Sequence, residues 1–436
     1  MNRLPAGGVT VLVLAAAASL ASCSRTVDAV VPLDCAAASS GDPACAPTPW
    51  PTPDHGKNSD PWLVTHHDVI SQMSPRVLVL NFFNGATSEQ ALATAQSQAA
   101  ALNEGSRYHG YADSAAVPFL KMQIVKVVDL TDHPAPSNWA HPSSTLLPTT
   151  STGEFDPTAL FTGRFNDRYG FSDSSSPSGS LSLCQLFEQG LINEVWIEDG
   201  EPDIRRAPLN VERKQAYDDG GNALPGVFLP DVGGGGSLRQ IVCGVTVRMA
   251  HLDPARGPGC DLQVRGWGID GMWDALPSAA AEDARAFLNA DFDSRFNVQF
   301  ASFADICDLA GDVCVTYPSA TVAAGSYADG TAWRIDPFRQ GCGSSRYPPN
   351  ARSHGDFVNG APVQARCAGF GLGGAADGGD AYVPYTSATV AAQESAFPDC
   401  GGGWQIYWRQ SMPGAGNHAR GAHGRPIKNW WPYLYY

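Results

Sequence analysis

The sequence predicts an α/β fold with a mostly parallel sheet, flanking helices and an irregular, disulfide-linked C-terminal segment. Two observations lead to this prediction. Apolar, strand-like runs alternate with helical segments over residues 63–325, which is the pattern of parallel strands joined by helices. From residue 326 to residue 436 this periodicity is lost, and Gly, aromatic residues and cysteines become frequent. With 43% hydrophobic residues, the 436-residue chain can bury a substantial core.

The first predicted unit is a strand, a helix and a second strand. The run from Arg76 to Phe83 is rich in strand formers. Thr87, with Gln90 three residues later, is a capping box that predicts the start of a helix, and Gly105 predicts its end. A strand is expected again over Phe119 to Val128, so a right-handed βαβ unit is the expected topology.

The alternation continues further along the chain. A helix is predicted over Leu181 to Gly190, followed by a short buried strand at Glu194 to Ile197. A further strand is expected over Arg239 to Ala250 and a helix over Ala279 to Leu288. The C-terminal segment is expected to pack on this same domain as an irregular covering layer.

The N-terminal residues 1–22 have the features of an export signal. Arg3 precedes an apolar run, Val9 to Leu20, that is too short to span a membrane stably. Leu20-Ala21-Ser22-Cys23 resembles the lipobox of bacterial lipoproteins. That resemblance implies cleavage before Cys23 and lipidation of this residue, which would anchor the chain in a membrane. The alternative is a conventional signal peptide cleaved near Ala21.

The residues after Cys23 bear on where the protein is located. Ser24, and not Asp, follows the cysteine, which in Gram-negative lipoproteins implies sorting to the outer membrane. Residues 23–62 are rich in Pro, Ala and Ser, a composition typical of a tether between an anchor and a folded domain. The expected location is therefore the cell envelope, at the outer membrane or cell surface.

The chain contains 11 cysteines, which suits an oxidising compartment. If Cys23 carries lipid, an even set remains, and we expect it to form disulfides. Close spacing favours the pairs Cys35–Cys45 and Cys307–Cys314. The sequence has no C-x-x-C pair, so zinc is not expected at these cysteines.

The charge balance excludes one class of partner. Lys and Arg number 28 against 43 Asp and Glu, which gives a formal net charge of −15, and no basic run occurs. Binding to nucleic acid requires clustered cations that neutralise phosphates. Nucleic acid is therefore not an expected partner.

Polar residues follow the predicted strands where each strand ends. Asp129, Glu198 and His251 are the candidate catalytic residues, because the carboxyl ends of parallel strands meet at one edge of a sheet. Such a set could supply a general acid and base, or ligands for a metal ion. Trp196 and Ile197 are expected to form an apolar wall beside Glu198. The alternative is that these residues are turn formers and helix caps.

No familiar catalytic or cofactor motif supports a narrower assignment. The sequence has no G-x-S-x-G, P-loop or H-E-x-x-H motif. A literal G-x-G-x-x-G at Gly369 to Gly374 follows no predicted strand and is not interpreted as a dinucleotide site. The cofactor, if one is used, is left unknown, and no metal site is assigned.

Aromatic residues are concentrated near the C-terminus. Trp404, Trp408, Trp430 and Trp431 are candidate substrate-binding residues, because flat rings stack on sugar faces. The alternative is that they fill a core. The stretches Gly401 to Gly414 and Lys428 to Leu434 resemble the ending of a group of exported bacterial proteins that has no assigned activity.

Together these features predict a lipid-anchored extracytoplasmic hydrolase that acts on an extracellular polymer such as a glycan. A glycosidase with two carboxylates and a metal-dependent hydrolase both fit the strand-end residues. The alternative is a non-catalytic surface lipoprotein that binds carbohydrate or a partner protein.

Overall fold

A computed structural model describes residues 45–51, 69–83, 86–131, 148, 157–172, 179–198, 210–212, 215–217, 223–228, 232–234, 239–242, 245–250, 316–326, 330–339, 341–343, 347–353, 355–372, 381–398, 401–415, 417 and 429–431. The predicted signal peptide, Cys23, the predicted helix at Ala279 to Leu288, and His251 lie outside these residues.

The described chain contains short strands and five α-helices. In chain order, the strands are β1 (Thr48–Trp50), β2 (Ile70–Met73), β3 (Arg76–Asn81), β4 (Gln123–Asp129), β5 (Glu194–Glu198), β6 (Asn210–Glu212), β7 (Gln215–Tyr217), β8 (Ala223–Phe228), β9 (Val232–Gly234), β10 (Arg239–Val242), β11 (Val245–Ala250), β12 (Thr316–Ser319), β13 (Val322–Ser326), β14 (Ala332–Ile335), β15 (Val363–Ala365) and β16 (Val383–Tyr385). The helices are α1 (Ser88–Gly105), α2 (Gly163–Tyr169), α3 (Leu183–Glu188), α4 (Ala391–Ala396) and α5 (Gly402–Gln410).

The largest sheet in the described residues has five strands in the order β10-β11-β5-β3-β4. Strands β11, β5, β3 and β4 are mutually parallel, and β10 runs antiparallel at the edge. The prediction of a mostly parallel sheet with flanking helices is confirmed for this part of the chain. The other sheets are small: β1 and β2 pair in parallel, whereas the remaining pairs are antiparallel.

The β3–α1–β4 unit forms where the sequence predicts it. The Thr87 side chain accepts a hydrogen bond from the Gln90 backbone N–H at 3.2 Å, and Gln90 Oε1 accepts one from the Thr87 backbone N–H at 2.8 Å. Helix α1 therefore begins with the predicted capping box, and it ends at Gly105. Helix α3, which precedes β5, begins with the same kind of box at Ser182 and Gln185.

The single strand predicted over Arg239 to Ala250 is wrong. The structure has two antiparallel strands there, β10 and β11, with Val242 opposite Val245. Gly244 lies between the two strands in the sequence, and glycine between two strand-like runs is a signal for a hairpin. The alternation of apolar residues continues from β10 into β11, so the sequence pattern resembles that of one longer strand.

The C-terminal segment contains more regular structure than the sequence predicts. Strands β14, β15 and β16 and helices α4 and α5 all lie within it. These elements are 3 to 9 residues long, which is too short for a clear hydrophobic period. Helix α5 is also buried on every side, so its polar residues Gln405, Arg409 and Gln410 do not mark a solvent-facing side.

Side chains of the central sheet alternate between two apolar cores. Val77 and Val79 of β3 pack with α1 on one face of the sheet. Leu78 and Leu80 point to the opposite face, where they pack with α2 and α3. A third core lies in the C-terminal segment around the Cys342–Cys367 disulfide. This alternation follows from the two-residue period of a strand.

Helix α5 joins the C-terminal segment to the sheet. Its Ile406 belongs to the core on the α1 face, whereas Trp404, Tyr407 and Trp408 belong to the C-terminal core. Cys45 and Cys184 are disulfide-bonded as well, in keeping with an oxidising compartment.

Candidate functional site

Two of the predicted catalytic residues lie in one row at the carboxyl edge of the central sheet. Asn81, the last residue of β3, is in register with Asp129 on one side and with Glu198 on the other. Glu198 is in turn in register with Ala250, the last residue of β11. His251 follows Ala250 in sequence and lies outside the described residues.

The three polar side chains of this row share one face of the sheet. Residues that are in register across neighbouring strands point the same way, and alternate residues along a strand share a face. Asn81 therefore lies on the α1 face, with Val77 and Val79. Glu198 lies on that face with Trp196, whereas Ile197 packs on the opposite face. Only Trp196 of the predicted apolar wall is thus on the side of Glu198.

Asn81 holds the connection between β3 and α1. Its side chain is buried, and its Nδ2 donates to the Ala86 carbonyl at 3.1 Å. Its Oδ1 accepts the Phe83 backbone N–H at 3.0 Å. Both polar atoms of the Asn81 side-chain amide thus bond to nearby backbone groups. These bonds link the end of β3 to the residue that precedes the cap of α1.

Asp129 is exposed and is oriented by short hydrogen bonds. Its Oδ1 accepts the Thr131 backbone N–H at 3.0 Å and the Thr131 hydroxyl at 2.6 Å. Its Oδ2 accepts the Ser88 hydroxyl of α1 at 3.3 Å. The carboxylate therefore lies at the N-terminus of α1, where the helix dipole stabilises negative charge.

An open cleft of about 520 Å³ lies beside Asp129. It is lined by the first turn of α1 and the end of β4, through Ala86, Thr87, Ser88, Glu89, Gln90, Asp129 and Thr131. Hydroxyl, amide and carboxylate groups dominate this lining, so the cleft suits a polar ligand that can donate hydrogen bonds. The only sequence signal near this cleft is the capping box at Thr87 and Gln90, which by itself indicates the start of a helix.

Glu198 occupies a different position from Asp129. Its side chain is 0% exposed, and it is not among the residues that line the cleft. Its backbone carbonyl accepts the Phe82 N–H at 2.7 Å, which extends the ladder between β3 and β5. The structure therefore brings Asp129 and Glu198 to one edge and one face, but in the described residues only Asp129 opens onto the cleft.

The four C-terminal tryptophans do not form an aromatic surface. Trp404, Trp408, Trp430 and Trp431 are all 0 to 1% exposed. Three of them pack in the C-terminal core, and Trp431 packs on the α1 face of the sheet. Stacking on a sugar requires an accessible ring face. The predicted substrate-binding role of these four tryptophans is therefore corrected to a role in the core.

A histidine that the sequence reasoning missed lies at the other end of α1. His109 has a left-handed backbone with φ 55°, a conformation that only a few per cent of non-glycine residues adopt. Its ring packs against that of Tyr108, with centroids 4.1 Å apart and the ring planes tilted by 31°. The dense aromatic run from Tyr108 to Tyr111, directly after the predicted helix end, was the available signal.

The described residues contain neither a metal-ligand cluster nor a membrane-spanning helix. No cluster of three or more His, Cys, Asp or Glu side chains with the geometry of a metal site occurs among them. No helix within the described part of the chain is long and apolar enough to cross a bilayer.

Comparisons with protein families and with curated proteins give no match to this chain. No protein-family model matches the chain. A search of curated proteins gives no significant match either. The functional assignment therefore depends on the sequence and on the geometry of the strand-end row.

Proposed function

We propose that this chain is a lipid-anchored extracytoplasmic hydrolase that acts on an extracellular polymer such as a glycan. Asp129 and Glu198 are the proposed reacting carboxylates. The observation that supports the proposal best is their placement on either side of Asn81, in register and on the same sheet face. The carboxyl edge of a parallel sheet is where α/β proteins generally place their sites.

The spacing of the row favours one stereochemical course. Two strand intervals separate the Cα atoms of Asp129 and Glu198, which amounts to about 10 Å. Inverting glycosidases place their carboxyl groups about 6.5–9.5 Å apart, whereas retaining enzymes place them about 5–5.5 Å apart. Side chains on one sheet face project in the same direction, so the carboxyl groups in this proposal keep a comparable separation, and a glycosidase built on this row would act with inversion.

The exposure of each carboxylate suggests its role. Asp129 faces the open cleft, so in this proposal it is the base that activates the attacking water. Glu198 is then the acid that protonates the leaving oxygen. His251 is proposed as an assisting group or metal ligand, because it follows the residue that is in register with Glu198. The proposed anchor is Cys23, on the strength of the lipobox.

Activity measurements on two isosteric variants test this function. Full-length protein in detergent would be assayed against a panel of glycans for release of reducing ends. We expect Asp129→Asn and Glu198→Gln each to lower kcat at least roughly 100-fold, the usual contribution of an acid or base. Nuclear magnetic resonance of the first product anomer reports inversion.

Asp113→Asn is the matched control, because Asp113 is an exposed carboxylate in the loop after α1. It should leave turnover unchanged. Circular dichroism at neutral pH would show whether Glu198→Gln keeps the fold, since Glu198 is fully buried. Folded Asp129→Asn and Glu198→Gln proteins with full activity would contradict the proposal.

A second function is favoured by the burial of Glu198. Because only Asp129 of the two described carboxylates lines the cleft, the cleft also suits a non-catalytic lipoprotein that binds a carbohydrate or a partner protein there. Glycan binding that is weakened by Asp129→Asn, unaffected by Glu198→Gln and accompanied by no turnover would select this function.

A further inference from the structure

The turn that follows α1 is tied to the end of α5. The His109 backbone N–H donates to the Gln410 carbonyl at 2.7 Å. The Tyr108 hydroxyl donates to the Phe370 carbonyl at 3.0 Å. His109 adopts its left-handed backbone at this point of contact. Such a conformation is unfavourable for a residue other than glycine and persists where surrounding contacts hold it.

The His109 ring lies in a run of aromatic side chains. Its centroid is 4.1 Å from that of Tyr108 and 5.4 Å from that of Tyr111. Tyr111 in turn lies 4.6 Å from Tyr407 of α5. The Nε2 atom of His109 is buried and has no hydrogen-bond partner in the described structure. The ring therefore packs within the turn after α1, beside the tyrosine that contacts α5.

We propose that His109 is a pH-sensitive latch, which holds helix α5 against the end of α1 while its imidazole is neutral and releases it when the imidazole is protonated in acid. A protonated imidazole carries an N–H on both nitrogens. The Nε2–H would then be a buried donor without an acceptor, on a ring that itself carries a positive charge. Cation–π attraction from the tyrosine rings offsets only part of that cost.

The direction of the pH dependence follows from linkage. Burial lowers the pKa of His109 from 6.5 to about 4. In an open state the ring is hydrated and has its ordinary pKa, so the open state binds the proton at a higher pH than the closed state. Above the ordinary pKa, neutral His109 therefore contributes fully to the stability of the closed state. This contribution is lost as the pH falls from 6.5 towards 4.

The other titratable groups around the latch have identified contacts. Burial raises the pKa values of Tyr108, Tyr111 and Tyr407, so these rings stay neutral in acid. The neighbouring carboxylates are Glu104 on α1 and Asp113 in the following loop.

Glu104 Oε1 accepts from Arg107 and from Gln410 Nε2, each at 2.8 Å. Asp113 Oδ1 accepts the Ala115 N–H at 2.8 Å. On α5, the neighbouring charge is the buried Arg409. The Glu104–Gln410 contact is a second link to α5, so the experiment must separate Glu104 from His109.

Hydrogen exchange of the full chain tests the latch. Exchange of peptides that cover residues 402–411 would be followed by mass spectrometry at pH 7.5, 6.0 and 4.5, with correction for intrinsic rates. For the unmodified protein we expect opening to increase roughly 70-fold between pH 7.5 and pH 4.5, from the difference between the two pKa values. His109→Asn should reduce this increase to less than about threefold, because asparagine does not titrate and tolerates a left-handed backbone.

Glu104→Gln and Asp113→Asn are the matched carboxylate controls, and each should keep the acid-induced opening. An equal opening in unmodified and His109→Asn protein would overturn the proposal. If His109→Asn fails to fold at pH 7.5, an imidazole titration by nuclear magnetic resonance on the unmodified chain decides. A His109 pKa of 6 or above in the closed state would overturn the latch, and a value near 4 with simultaneous loss of α5 protection would support it.

Discussion

The two ends of helix α1 are held by contacts of different range. At the N-terminal end, Thr87 and Gln90 cap the helix within three residues of each other, and the side chains are exposed. At the C-terminal end, Gln410 Nε2 bonds to Glu104 across 306 residues of sequence. The difference shows that the start of a helix can be held by local contacts alone, while its end, here with local hydrogen bonds from Ser106, is also held by a distant one. The cleft and the latch lie at opposite ends of it.

The largest effect is expected where the distant contacts are most buried. Trp408→Ala removes a 1% exposed ring of α5 and its hydrogen bond to the Gly343 carbonyl at 3.0 Å. We expect a loss of about 3–5 kcal/mol in the free energy of unfolding, measured by urea titration. Trp333→Ala, at a half-buried ring, should cost clearly less. Equal losses in the two variants would show that α5 does not anchor the C-terminal segment.

An intermediate effect is expected where α5 meets α4. A Cβ atom on Gly403 would lie 2.5 Å from the backbone nitrogen and Cα of Glu394, so one helix must move. Gly403→Ala should therefore cost about 1–3 kcal/mol in the free energy of unfolding. Gly163→Ala is the control, because no atom lies within 4 Å of its Cβ position. A stable Gly403→Ala protein would mean that this contact adapts freely.

The smallest effect is expected at the local end of α1. Thr87→Ala removes the side chain that accepts the Gln90 N–H, and we expect a loss of about 1 kcal/mol by thermal or urea unfolding. Thr162 begins α2 without a side-chain cap, and its exposed hydroxyl donates only to the Ala159 carbonyl, so Thr162→Ala should cost less than Thr87→Ala. If Thr87→Ala cost as much as Trp408→Ala, the distinction between the two ends of α1 would fail.

Sequence reasoning succeeded where the signal and its partner lie close together. The capping box at Thr87 and the apolar run of β3 gave the β3–α1–β4 unit and its bounds to within a few residues. From that unit followed the expectation that Asp129 ends a strand at the carboxyl edge. Reasoning from the same kind of pattern was wrong at β10 and β11, because alternation continues through a hairpin turn without showing the reversal of the chain.

Other features depended on contacts that no local pattern contains. The tryptophans of the C-terminal segment are core residues because α5 is enclosed between the sheet and the disulfide-linked core. Composition alone could not tell a buried aromatic cluster from an exposed one. The contact between the His109 turn and α5 was likewise invisible, since it joins Tyr111 to Tyr407 and the His109 N–H to the Gln410 carbonyl, which are distant in sequence.

The sequence by itself determined the class of the central domain, the capped start of α1 and the polar ends of the strands, because each depends on neighbouring residues along the chain. The tertiary structure alone decided which of those polar residues faces the cleft, that Glu198 is enclosed, and that the aromatic C-terminus is interior. The physical reason is that exposure and register depend on the elements that pack against a residue. Those elements are, in this protein, up to about 300 residues away along the chain.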